Sequence, residues 1–258
     1  MLPGGLILLE LDLVTWAVAF CVAVVAGLVK GMVGFALPMI FISGLSLVMP
    51  PETALGALII PTFFANGLQA LRHGLAPALE IAKQFRMLLI SAGICLVVSA
   101  QFVLSLSPQA LFLFLGFPVT VFTFWQLIKI NVFQTKRSPE KDILVGAFAG
   151  LIGGVSGIWG PPTVMYLTAV ATAKTEQIRV QGVLYGFGSV ALIVAHLGSG
   201  VLHSQTLTLS TLLVAPALFG FWLGYRLQGR INQAEFRRLT LFVLLFAGLN
   251  LLRRGLVG

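Results

Sequence analysis

Charged residues are scarce in this sequence. Only 9% of its 258 residues are Asp, Glu, Lys or Arg, whereas 58% are hydrophobic and the mean hydropathy is +1.02. Since a soluble domain typically carries about 25% charged residues, 16 basic and 8 acidic side chains cannot cover a soluble fold of this length. The scarcity excludes a water-soluble enzyme, a nucleic-acid-binding domain and a disordered protein. The sequence therefore predicts a polytopic membrane protein.

Cysteines and long polar stretches are also few. Cys21 and Cys95 both lie within apolar segments, which excludes a disulfide framework and a metal cluster. The longest polar connections, residues 131–142 and 226–238, are only loops in size. We therefore expect no soluble catalytic domain, no ATP-binding loop, no cofactor and no metal. The acidic start of the chain, before residue 13, is not typical of a cleaved signal peptide.

The hydrophobic residues fall into ten segments that are apolar on all faces, as helices in lipid are and barrel strands are not. We expect an all-α fold with eight to ten spans, forming a single integral membrane domain over residues 1–258. The segments are 13–29, 32–49, 53–71, 87–106, 109–130, 143–157, 161–173, 178–201, 206–225 and 239–252.

Basic loop residues predict the orientation. If all ten segments cross the membrane, every basic internal loop falls on one side, which should then be cytoplasmic, as in a bacterial inner-membrane protein. The net charge of +8 then reflects orientation, and no nucleic-acid partner is expected. Only Arg253 and Arg254 fall on the opposite side. The basic loop residues are Lys30, Arg72, Lys83, Arg86, Lys136, Arg137, Lys141, Lys174, Arg179, Arg226, Arg230, Arg237 and Arg238.

The chain contains an internal repeat. Residues 27–38 match residues 150–161 at a constant offset of 123, with five of twelve positions identical. Repeat one covers about 13–130 and repeat two about 143–254. Because each repeat holds five segments, an odd number, the second enters from the opposite face, which predicts two inverted-topology repeats. The identical pairs are Gly27/Gly150, Leu28/Leu151, Gly31/Gly154, Gly34/Gly157 and Pro38/Pro161.

These matching stretches predict helices broken by glycine and proline. Short, interrupted segments at matching positions of two halves indicate the binding site of a transporter. Backbone N–H groups freed there, with the positive ends of half-helices, suit an anion. The alternative is that Gly31, Gly34, Gly154 and Gly157 are small-residue packing faces. The duplication, together with Pro38 and Pro161, favours the broken helices.

The two motifs, GLVKGMVGFALP at 27–38 and GLIGGVSGIWGPP at 150–162, resemble the paired signatures of the TauE/SafE sulfite exporter family. The resemblance covers nearly the whole chain in length and segment pattern. It implies export, or in some members uptake, of small sulfur-containing or organic anions such as sulfite, sulfoacetate or other sulfonates. Ala36 and Trp159 stand at positions where the family frequently has glycine.

Lys30 is the most informative charge, because it lies within the first break, where the second repeat has Gly153. An ionisable residue at membrane depth is a candidate functional residue. Lys30 could pair with an anionic substrate or release a proton as the site changes exposure. The alternative is that it lies at the cytoplasmic end of its segment and extends its ammonium to the interface.

Uncharged polar residues extend the candidate site. Asn66 and Gln69 share a helix face at a spacing of three, and Gln181 and Tyr185 share one at a spacing of four. Their amide and phenol groups could hydrogen-bond sulfonate oxygens, or they could simply join helices. Ser156, in the second break, is a further candidate.

A competing hypothesis concerns Ser156 and His196. Gly154-Val155-Ser156-Gly157 resembles the nucleophile motif of rhomboid intramembrane proteases, and His196 follows on a later segment. However, the matching stretch 27–38 has Val33 in place of the serine, and a protease has no reason to duplicate its site without the nucleophile. His196 is otherwise a candidate for proton coupling. A third possible class of function is a scaffold without transport activity.

The sequence thus predicts a secondary transporter, not an enzyme, working by alternating access driven by the proton or membrane potential. Lys30 and Ser156 would hold the anionic head, and the expected partners are this anion and the lipid bilayer, with a homodimer left open. The candidate substrate-binding residues are Lys30, Gly31, Gly34, Pro38, Asn66, Gln69, Gly154, Ser156, Gly157, Trp159, Pro161, Gln181 and Tyr185.

Overall fold

The protein is built of helices. The computed structural model describes residues 12–128, 136–170, 174–227 and 233–257, and these hold no strand. A 3-10 turn, Val103–Ser105, follows the fifth helix. The α-helices are α1 Leu13–Val33, α2 Leu37–Leu45, α3 Pro51–Ala70, α4 Leu75–Gln84, α5 Arg86–Ala100, α6 Pro108–Ile128, α7 Pro139–Ser156, α8 Gly160–Ala169, α9 Lys174–Ser199, α10 Ser204–Leu212, α11 Val214–Leu227 and α12 Gln233–Val257.

Several helices are long and apolar enough to cross a membrane. Within the described residues there are five such spans by length and composition, and a shorter apolar helix covers Phe112–Trp125. These spans support a polytopic membrane protein, and the number of crossings stays a prediction. The five spans are Leu13–Met32, Pro51–Ala70, Arg86–Ser105, Arg179–Ser199 and Ser204–Leu227.

The helices depart from the predicted segments in two places. Segment 206–225 forms two helices, α10 and α11, which meet at Leu213. Helix α4 lies in a stretch that no predicted segment covers. Its ten residues include Glu80 and Lys83, and the helix buries only Ile81. A short helix with charged residues gives no signal in a search for spans.

Both predicted breaks separate two helices. Helix α1 ends at Gly34, whose φ is +83°, and α7 ends at Gly157, whose φ is +69°. This left-handed conformation is accessible to glycine at little cost. Each glycine N–H donates a 2.7 Å hydrogen bond to a carbonyl four residues back, at Lys30 and Gly153 respectively. The same cap therefore ends both helices, 123 residues apart.

The largest helix contacts join residues 13–128 to residues 139–257. Helix α1 packs on α11, and α5 packs on α7. Helix α3 packs on α9, and α6 on α12. At the offset of 123, α1 corresponds to α7 and α5 to α11, so the first two contacts are equivalent to each other. The core is therefore shared between the two parts of the chain.

Glycines allow two of these contacts to be close. A Cβ on Gly31 would overlap the Phe221 carbonyl of α11, and one on Gly224 would overlap the Leu28 carbonyl of α1. On α7, a Cβ at Gly154 would overlap the Leu96 carbonyl of α5. The packing interpretation therefore fits Gly31 and Gly154, which are helix-contact residues.

Candidate functional site

The two breaks line one cavity. Helices α3 and α9 complete its wall, one from each part of the chain. The lining residues are Lys30, Phe35, Ala36, Pro38, Met39, Asn66, Gly157, Ile158, Trp159, Gly160 and Tyr185.

Lys30 is buried beside this cavity. Its side chain is 1% exposed, and its Nζ donates a 2.8 Å hydrogen bond to Gln69 Oε1. The Nζ also lies 5.8 Å from the centroid of the Tyr185 ring. Lys30 therefore does not extend to the interface, and its inclusion among the loop residues that set orientation is wrong. The residue lies within α1, one turn before the helix ends.

No carboxylate pairs with Lys30 among the residues that the structure describes, where the ion pair is Arg137–Asp142 at 2.6 Å. A buried ammonium is costly unless a counter-charge or hydrogen bonds compensate it. The Gln69 amide supplies an acceptor but no negative charge. An anion in the cavity would supply the missing charge.

The start of α2 forms part of the cavity wall. Ala36, its N-cap residue, has φ +80° and makes no side-chain cap hydrogen bond. The first intrahelical hydrogen bond runs from the Ile40 N–H to the Ala36 carbonyl. The N–H groups of Leu37 and Met39 therefore have no intrahelical partner, whereas Pro38 has no N–H. These N–H groups and the positive end of the helix favour an anion.

Asn66 and Tyr185 hold the wall together. Asn66 Nδ2 donates a 3.1 Å hydrogen bond to the Tyr185 carbonyl, which joins α3 to α9. The Tyr185 hydroxyl lies 3.4 Å from the Gly160 carbonyl and 3.4 Å from Thr163 Oγ1, both at the start of α8. The helix-joining interpretation fits Asn66, although its side chain also lines the cavity.

Three other predicted residues, Gly34, Ser156 and Gln181, are not among those that line the cavity. Gly34 is the cap of α1, and Gln181 is buried on α9 one turn before Tyr185. Ser156 Oγ donates to the Ile152 carbonyl at 2.7 Å and accepts from the Ile158 N–H at 3.1 Å. The side chain of Pro161 lies outside the described part of the structure.

The structure gives Ser156 and His196 separate partners. His196 is fully buried, and its Nδ1 lies 3.0 Å from Ser199 Oγ. No hydrogen bond joins Ser156 to His196 in the described residues, so the alignment that a serine protease needs is not formed. Nor do these residues hold a group of three His, Cys, Asp or Glu side chains that could bind a metal.

Five cavity residues were not predicted as site residues. All but Gly160 are apolar, and a search for polar or repeated residues passes over such positions. All but Met39 lie within the two matching stretches, which is their only signal. The five are Phe35, Ala36, Met39, Ile158 and Gly160.

Residues 19–251 match the family model described as sulfite exporter TauE/SafE. The chain belongs to the TauE/SafE sulfite exporter family. The match covers both breaks and every residue that lines the cavity. Comparisons with curated proteins and with solved structures found no match. TauE/SafE proteins are membrane transporters, so this chain is an integral membrane transporter.

Proposed function

We propose that this TauE/SafE protein is a secondary transporter of small sulfur-containing or organic anions, such as sulfite, sulfoacetate or other sulfonates. It exports or exchanges them by alternating access, coupled to the proton or the membrane potential. The observation that carries the proposal is the buried ammonium of Lys30, which has an amide partner and faces a cavity lined by both breaks.

The anion would bind between the two parts of the chain. Its charged head would lie near Lys30 Nζ and the start of α2, whose first N–H groups have no intrahelical partner. Trp159 and Tyr185 would line the same cavity. Because the Ser156 hydroxyl already has two backbone partners, we assign the head to Lys30 and the backbone rather than to Ser156.

Alternating access would use two inverted repeats. The helix order of residues 13–128 recurs over residues 139–257, and equivalent helices make equivalent contacts across the two parts. A site between such halves becomes open to each side in turn when one half rocks against the other. With eight to ten spans, the basic loops would lie in the cytoplasm of a bacterial cell.

Arg254 is compatible with this orientation. Its guanidinium donates to the Ser46 carbonyl at the end of α2 and lies 4.3 Å from the centroid of the Phe112 ring. Arg254 is thus a partly buried packing residue that interacts with the negative end of a helix. It is not a loop charge of the kind that sets orientation.

Flux into proteoliposomes tests the proposal. Uptake of labelled sulfite, sulfonates and small carboxylates would be measured with and without a pH gradient, for the wild type, Lys30→Gln and Lys83→Gln. Lys83 is an exposed residue of α4 and serves as the matched control. We expect Lys30→Gln to lower uptake at least about tenfold, since a hydrogen bond to a charged group contributes about 1.5–3 kcal/mol. Unchanged uptake by Lys30→Gln would contradict the pairing of Lys30 with the anion. If the wild type takes up none of these anions, the proposal that it transports them is contradicted.

A further inference from the structure

A second cavity lies behind Trp159. It is small and lies between α5, α7 and α9. Trp159 lines both cavities. The other residues that line the second cavity are Leu88, Leu89, Ala92, Gly93, Leu96, Ala149, Gly150, Thr163, Leu184, Phe187 and Gly188.

The two cavities differ in chemistry. The first contains the ammonium of Lys30 and the amide of Asn66. The second is lined almost wholly by carbon, and its one side-chain hydroxyl, on Thr163, donates at 2.7 Å to the Gly160 carbonyl. The second cavity therefore offers nothing to a charged group, and its apolar wall favours an alkyl chain only if the space is enlarged.

Two glycines leave room for the Trp159 side chain. A Cβ on Gly188 would lie 2.9 Å from the indole Cε2 and Nε1, and one on Gly153 would lie 2.9 Å from Trp159 Cβ. Any larger residue at these positions would displace the ring. The position equivalent to Trp159 in the first part of the chain is Ala36, which has no side chain long enough to divide a cavity.

We propose that Trp159 is a specificity-determining residue that limits the size of the transported anion. Its indole closes the second cavity, so an anion whose head reaches Lys30 has no space for a long apolar substituent. Removing the indole joins the two cavities into one that accepts a charged head at one end and an alkyl tail at the other. This inference rests on the proposed function, since it concerns the same site.

Two sulfonates with the same head test the inference. Uptake of methanesulfonate and hexanesulfonate into proteoliposomes would be compared for the wild type, Trp159→Ala and Trp222→Ala. Trp222 is 45% exposed on α11 and controls for the loss of a tryptophan. We expect Trp159→Ala to raise the ratio of hexanesulfonate to methanesulfonate uptake at least about tenfold, because each methylene in an apolar pocket changes discrimination by about tenfold or more.

Further variants distinguish a limit on anion size set by Trp159 from a general loss of stability. Trp159→Ala combined with Leu184→Phe refills the second cavity, and we expect it to lose the gain in hexanesulfonate uptake. If Trp159→Ala does not fold, Trp159→Leu keeps a buried apolar side chain and should show a smaller change in the same direction. An unchanged ratio in the folded variant, or equal uptake of both sulfonates by the wild type, overturns the inference.

Failure of the proposed function has a different result. If the wild type transports no anion at all, the proposed function fails. Binding of hexanesulfonate to the purified proteins then tests whether Trp159 limits the size of the bound anion. Hexanesulfonate should raise the Tm of Trp159→Ala and leave that of the wild type unchanged. No increase for the variant overturns the inference.

Discussion

Lys30 and Gln69, on α1 and α3, are joined by a 2.8 Å hydrogen bond from Nζ to Oε1 inside the protein. An amide oxygen accepts this hydrogen bond without cancelling the positive charge. A carboxylate at the same position would form a buried ion pair and leave nothing for an anionic ligand. Position 69 therefore decides whether the cavity is positive or neutral.

Gln69→Glu should accordingly weaken anion binding. The new carboxylate competes with the substrate for Lys30, and we expect the KM for the transported anion to rise at least about tenfold, since paired charges differ from a charge–amide contact by more than about 1.4 kcal/mol. Uptake kinetics in proteoliposomes measure the change. Gln109→Glu, at an exposed position of α6, is the control for the added charge. Equal KM values for the two variants would contradict the role of Gln69.

The two helix caps should be sensitive to a single methyl group. Gly34→Ala and Gly157→Ala each force an L-residue into the left-handed conformation, which costs about 1–2 kcal/mol. We expect both to lower the Tm of the purified protein. Gly67→Ala is the matched control, because Gly67 lies within α3 with no atom within 4 Å of an added Cβ. Helix propensity predicts that this control is neutral or stabilising; a Tm loss as large as that of Gly34→Ala would contradict the cap explanation.

Ser156→Ala should keep transport and lose some stability. The substitution leaves the Ile158 N–H without its hydrogen-bond acceptor, and an unsatisfied buried group costs about 1–3 kcal/mol. Thermal unfolding and anion uptake would be measured on the same preparation. Val155→Ala, next to it on α7, is the control for a buried side-chain truncation. Loss of uptake at unchanged Tm would instead return Ser156 to the substrate site.

Gly31→Ala should disturb the contact between α1 and α11. The added Cβ would meet the Phe221 carbonyl, which is backbone and cannot rotate away, so the two helices must separate. We expect a lower yield of monodisperse protein in size-exclusion chromatography. Gly198→Ala, whose Cβ would lie 3.5 Å from Gln101 Oε1 at an ordinary van der Waals distance, should leave the yield unchanged. A normal yield for Gly31→Ala would show that the crossing tolerates separation.

Sequence alone predicted the class of protein and the two breaks, and it directed attention to Lys30. These features are local: a glycine and proline pattern repeated at 123 residues, and one lysine within an apolar run. Composition was sufficient for the membrane assignment because few charged residues cannot solvate a fold. The family match then supports the transporter class.

The roles of Gly31, Gly154 and Trp159 could not be separated in the same way. Gly31 faces α11, almost 190 residues later in the chain, so its contact is non-local. A glycine beside lipid, a glycine in a helix crossing and a glycine in a binding site have the same local sequence. The position of Trp159 in the lining of two cavities is likewise something that no pattern within one segment describes.

The contact of α1 with α11 also bears on how the protein is assembled. The first helix meets its main partner only after residues 214–227 have been synthesised, and α6 must wait for α12. Until then the face of α1 that carries Gly27 and Gly31 lacks the helix on which it packs. An isolated first half would therefore enter the membrane with its interfaces unfilled. Co-expression of the two halves would supply the helices that each half packs on, as in a split protein.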